Sequence, residues 1–173
     1  MKTVFKGLLT LDAISLLLVV YLIKSCTWLP KLKEFSVIVY LLVPVIIARA
    51  CVVFSEKLSK DSIEGGISGV ELANDSFLPS YAGYFFVALS VENGQYITLM
   101  VVFGILFVFL FCSQNLYYNP LLLIFGYRFY NLTNEKNMRI FLITRKDIKD
   151  NNDLCFRDLR RINYFTFIDR ERT

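Results

Sequence analysis

The chain has no histidine among its 173 residues. That removes the commonest general base and the commonest metal ligand. Its four cysteines, Cys26, Cys51, Cys112 and Cys155, are widely scattered and form no CxxC pair. Neither a zinc site nor a disulfide framework is expected from such spacing. A nucleotide cradle is missing as well. "GGISG", Gly65 to Gly69, is neither a Walker loop nor a dinucleotide fingerprint, and it follows no predicted strand. No nucleophile elbow is present, and acid pairs such as Asp150 and Asp153 lie in a polar tail. A protein that is not an enzyme, with no metal and no cofactor, is the expectation.

What the chain does have is apolar sequence in blocks. It is 55% hydrophobic, with a mean hydropathy of +0.51, above the usual share for a soluble domain. Four blocks have the character of membrane spans: about 7–23, 35–54, 77–91 and 96–112. The first would also suit a signal peptide. No small-x-small cleavage site follows it, however, and Lys24 stands where a lipoprotein box wants a small residue, so a retained anchor is expected. The second block carries Pro44, which neighbouring helices can tolerate. The third has Ala82 and Gly83, small enough to permit close helix approach. "ENGQ", Glu92 to Gln95, is a turn joining the last two blocks into a tight helical hairpin.

Charge orients the chain. Of 19 Lys and Arg residues, 11 follow Cys112. Placing the N-terminus in the cytoplasm leaves only Lys24, Lys31 and Lys33 outside and returns the basic tail to the inner face. The expected fold is an α-helical polytopic membrane protein of the bacterial inner membrane. It has four transmembrane helices in 1–112 and a small cytoplasmic α+β module in 113–173. The cytoplasmic loop 55–76, polar and rich in Gly and Ser, reads as mobile.

Two charges fall within spans. Asp12 and Arg49 each lie about five residues from the cytoplasmic end of their block, roughly 8 Å deep. They share a level, so an intramembrane ion pair is geometrically available. A helix clamp, a pore lining, and simple snorkelling of Arg49 remain open readings.

Past Cys112, Tyr117 and Tyr118 fit an aromatic belt at the inner interface. Leu121 to Phe125 is too short to span. Phe125, Tyr127 and Phe129 then alternate with Gly126, Arg128 and Tyr130, which is strand periodicity. "TNEKN" is a turn, and "MRIFLITRK", Met138 to Lys146, a second strand. The stretch thus predicts a β-hairpin, which alone is marginal in water. A short helix capped by Asp153, containing Leu154, Phe156 and Leu159, and a third strand at Ile162 to Ile168 could complete a three-stranded sheet. Its open edge would invite another chain. Tyr127, Phe129, Tyr130, Arg139, Phe141 and Arg145 are the candidate docking residues. Arg157, Arg160 and Arg161 form a candidate basic inner-face patch, toward anionic lipid or, less favoured, nucleic acid. A salt-bridged, solvated surface is the plain alternative, since Asp158, Asp169 and Glu171 are mixed in.

The aromatic third block "PSYAGYFFVALSV", the passage from the fourth block into "NPLLLIFGYRFY", and the following "RIFLITRK" resemble KwaA, the family of membrane subunits of the bacterial Kiwa anti-phage system. The resemblance implies an inner-membrane sensor that registers phage attack and holds a soluble, DNA-binding effector, KwaB, on the cytoplasmic face. It also implies a homo-oligomer, with a tetramer as the expected number. It carries over no site residues. Three functions compete: a sensor and scaffold recruiting an effector through the tail, a small oligomeric channel or membrane-perturbing protein, and an assembly factor. Mainly apolar spans with no continuous polar stripe favour the first.

Overall fold

The computed structural model describes residues 2–26, 35–63, 66–74, 78–112, 119–148, 156 and 158–171. Four helices coincide with the four apolar blocks: α1 (Lys2–Lys24), α2 (Ser36–Phe54), α3 (Leu78–Ser90) and α4 (Tyr96–Cys112). Two stretches, Thr3–Lys24 and Ser36–Lys57, are long and apolar enough to cross a membrane. With 17 residues, α4 stands at the lower limit of a span, and α3, with 13, is about 20 Å long and falls short of the hydrocarbon thickness.

The bundle is built around α1, which packs against α2, α3 and α4. Leu9, Ile14, Leu17 and Tyr21 are all buried, and they cover more than one face of the helix, as a central helix requires. Outward-facing residues of α4, among them Ile97, Met100, Val101 and Phe109, are exposed. An apolar surface of that extent belongs against lipid or protein rather than water. The close approach expected at Gly83 does not occur there: a Cβ at Gly83 would meet nothing within 4 Å. Contact is made instead through Tyr81 and Ala88, the buried residues of α3. In addition, α3 and α4 each lean mainly on α1 rather than on one another.

The sheet is larger than the expected hairpin or three-stranded sheet. A short helix, α5 (Pro120–Ile124), leads into β2 (Arg128–Asn134), β3 (Arg139–Thr144), β4 (Leu159–Arg161) and β5 (Thr166–Asp169). The fifth strand, β1 (Ile67–Leu72), comes from the loop between α2 and α3. The sheet order is β1-β2-β3-β5-β4. β3 pairs parallel with β5, and the other three pairings are antiparallel. The loop expected to be mobile therefore supplies an edge strand, and at the opposite edge Lys60 bridges to Arg160. The boundary drawn at Cys112 cuts through this module.

Alternation sorts the sheet's side chains onto two buried faces. Phe129, Phe141, Ile143 and Ile168 join Phe5 and Leu9 of α1 and Cys51 and Val52 of α2 in one apolar cluster. Tyr130, Leu132, Ile140, Leu142 and Phe167 join Ile148 and Leu159 in a second cluster on the other face. A central strand covered on both sides reads as a continuous apolar run, which explains "RIFLIT". Residues 162–165 bend instead of extending β5, and Leu159 lies in β4 rather than a helix. Tyr117, Tyr118, Lys31, Lys33, Asp150, Asp153, Leu154, Cys155 and Arg157 lie outside the described residues.

Candidate functional site

A buried polar contact ties α1 to the start of α5, the helix that leads into the sheet. Asn119 precedes Pro120, and proline at the first helical position suits the start of α5. Its side-chain oxygen accepts from Leu121 N at 3.0 Å, an N-cap. Its amide donates to Asp12 Oδ2 at 2.5 Å. Both side chains are completely buried. Asp12 Oδ1 has no hydrogen-bond partner among the described residues, and an unbonded buried oxygen is destabilising.

The anticipated partner of Asp12 is elsewhere. Arg49 is exposed on α2, its guanidinium 5.9 Å from the Phe125 ring centroid. Asp12 lies inside the bundle and Arg49 on its surface. Asn119 was legible only as punctuation before a proline. The missed signal was the Asn-Pro pair as a cap and first turn.

Beyond α5 the chain turns at Gly126, whose φ of 77° suits glycine, passes through Tyr127 and enters the sheet at Arg128. The Arg145 guanidinium lies 4.6 Å from the Tyr127 ring centroid. Burial raises the Tyr127 phenol above its ordinary value, and the positive charges of Arg145 and Arg49 oppose that rise.

The docking residues expected from sequence divide sharply. Tyr127, Phe129, Tyr130 and Phe141 are all buried. They are core because both faces of the sheet are covered, so the aromatic alternation marked burial rather than a recognition surface. Arg145 is half-buried over Tyr127, and Arg139 is exposed.

The described members of the basic patch are tied to this chain's own loop. Arg160 donates to Leu58 O at 2.8 Å and pairs with Asp158 at 3.0 Å. Arg161 pairs with Asp61 at 2.6 Å, its guanidinium 5.2 Å from the Phe167 ring centroid. Arg170 pairs with Glu56. These contacts strap residues 56–61 across the β4 edge and turn the tail's basic run into a brace.

At the far end of the bundle, α1 organises the α3–α4 turn. Tyr21 Oη donates to Glu92 O at 3.3 Å and accepts from Gly94 N at 3.2 Å. Lys24 Nζ donates to Leu89 O at 2.5 Å and Val91 O at 2.6 Å, satisfying carbonyls at the end of α3.

The arrangement is that of a helical bundle, two of its helices long and apolar enough to cross a membrane, continuous with a mixed five-stranded sheet. Within that class the chain belongs to the KwaA family: the family model described as anti-phage protein KwaA matches residues 5–168. That span takes in α1 through most of β5, so the family covers both the bundle and the sheet. No curated protein and no solved structure matches the chain significantly.

Proposed function

We propose that this anti-phage protein is a non-enzymatic sensor and scaffold of the bacterial inner membrane. In this reading it crosses the bilayer four times with both termini in the cytoplasm, the bilayer thinning locally around the short α3. It assembles as a homo-oligomer and holds a soluble, KwaB-like effector beneath the membrane through its sheet. The observation that carries the reading is the junction. One apolar cluster runs from Phe5 and Leu9 through Cys51 and Val52 into Phe129, Phe141 and Ile168, and the Asp12–Asn119 hydrogen bond lies inside the same contact. A displacement of α1 against α2 is therefore transmitted to the sheet by packed side chains rather than by a flexible linker.

With the strand aromatics buried, docking falls to the end of the sheet that carries exposed apolar and basic groups. Met138 is 44% exposed, Tyr164 74% and Phe165 50%. Lys136 and Arg139 are exposed beside Met138 and make no ion pair among the described residues. Phe141 N donates to Phe165 O at 2.7 Å, which sets the 162–165 bend at the end of the sheet where Arg139 begins β3. An aromatic surface with free cations suits an acidic protein face.

Purification in mild detergent followed by mass spectrometry tests this. The full chain is expected to retain a soluble partner. A double variant, Arg139→Glu with Tyr164→Ser, is expected to remain in the membrane and lose the partner about tenfold or more. Undiminished retention by the variant would remove the docking surface, and a parent chain that retains nothing would remove the scaffold reading.

A further inference from the structure

The α3–α4 turn closes a groove at the end of the bundle away from the sheet. Its cavity volume is about 450 Å³, within the range of small-molecule sites. Phe86 and Val87 of α3 and Val102 of α4 form apolar walls, and Glu92, Gln95 and Thr98 form the rim. The groove exists because α3 and α4 both lean on α1, which contributes no lining residue.

The charge at the rim is specific. Glu92 is exposed, and its Oε2 accepts from Gln95 Nε2 at 2.8 Å. It makes no ion pair among the described residues. Lys24 donates to the carbonyls of Leu89 and Val91 and makes no ion pair with Glu92 among the described residues, so the carboxylate is open to a ligand's cation. An apolar slot ending in a free carboxylate complements an acyl chain ending in a positive headgroup, and it repels a purely anionic one.

We propose that this groove binds a phospholipid with an ammonium headgroup, its chain against Phe86, Val87 and Val102 and its ammonium on Glu92. The site rests on the four-span reading, which sets the α3–α4 turn at the outer headgroup level.

The test reconstitutes the full chain in vesicles of equal phosphatidylethanolamine and phosphatidylglycerol. Mild-detergent extraction and native mass spectrometry then count the lipids each chain retains. The parent is expected to retain phosphatidylethanolamine preferentially. Glu92→Gln should reduce that preference about five-fold, and Val87→Trp, which fills the slot, should abolish retention of either lipid. Equal retention of both lipids by the parent overturns the headgroup assignment, as does an unchanged preference in Glu92→Gln. Cross-linking of Thr98→Cys chains to each other across the groove would assign it to a second copy instead. Alkaline extraction of the same membranes separates the two failures. A chain released by alkali loses the four-span reading, whereas one that stays but shows no lipid preference loses only the groove.

Discussion

Asn119 works in two directions, capping α5 with its oxygen and satisfying Asp12 with its amide. Asn119→Ala removes both contacts. The expected loss is about 1–3 kcal/mol for the stranded carboxyl and about 1 kcal/mol for the cap. Asn119→Ser keeps a capping oxygen but is too short to reach Asp12, so it should recover only the smaller part. Thermal unfolding in detergent reads both. Tyr127 gives a second prediction, on pH. Its folded-state phenol titrates above its ordinary value because it is buried. The unfolded chain therefore releases that proton first. The contribution is intact below about pH 10 and is lost as pH rises through the folded-state value. Tyr127→Phe should flatten the alkaline fall in stability, measured by denaturant unfolding between about pH 9 and 11. A parallel decline in both proteins would exclude Tyr127 as its source.

Between elements, the decisive partnership is that of the α2–α3 loop with the tail. Its two contacts differ in strength. The strap made by Glu56–Arg170 and Asp61–Arg161 is partly exposed, and such pairs contribute about 0–1 kcal/mol each. Glu56→Gln with Asp61→Asn should leave global stability nearly unchanged while hydrogen exchange in 56–63 accelerates. β1 contributes more, because Ile67 and Val70 pack against the second apolar cluster. Replacing Ile67–Leu72 with a Gly-Ser linker of equal length should lower stability by about 2 kcal/mol or more. It should also open β2 to proteolysis, since β2 would become an unprotected edge.

This pairing also explains what could be read from the amino acids alone. The four helices were legible because hydrophobic length is a local signal, and β2 and β3 because alternation is local too. β1 was not. "ISGVEL" contains two apolar β-branched residues among Gly, Ser and Glu, and becomes a strand only because β2 presents an edge to it. The Asp12 partner was illegible for a related reason. Shared depth follows from counting residues, whereas facing requires the rotation of each helix about its axis. The buried aromatics were misassigned because a two-sided core and a recognition strip have the same composition.

At the scale of the whole molecule, bundle and sheet share a core. Deleting everything after Cys112 would uncover Phe5, Leu9, Cys51, Val52 and Leu58, all buried in that core. Such a truncation is expected to reduce membrane-inserted protein as well as partner retention, so it cannot separate the two properties. The Arg139→Glu, Tyr164→Ser variant leaves the core untouched and separates them. The comparison to make is insertion against co-purification for both forms. Full insertion of the truncated chain would show that the bundle tolerates losing the sheet.

The sheet is sewn into the anchor by two separate stretches of chain, one before α3 and one after α4. A graft of 113–173 onto a foreign anchor would arrive a strand short, with its helix-side face bare. The sheet is not a portable cassette: whatever inherits it must inherit the interhelical loop as well.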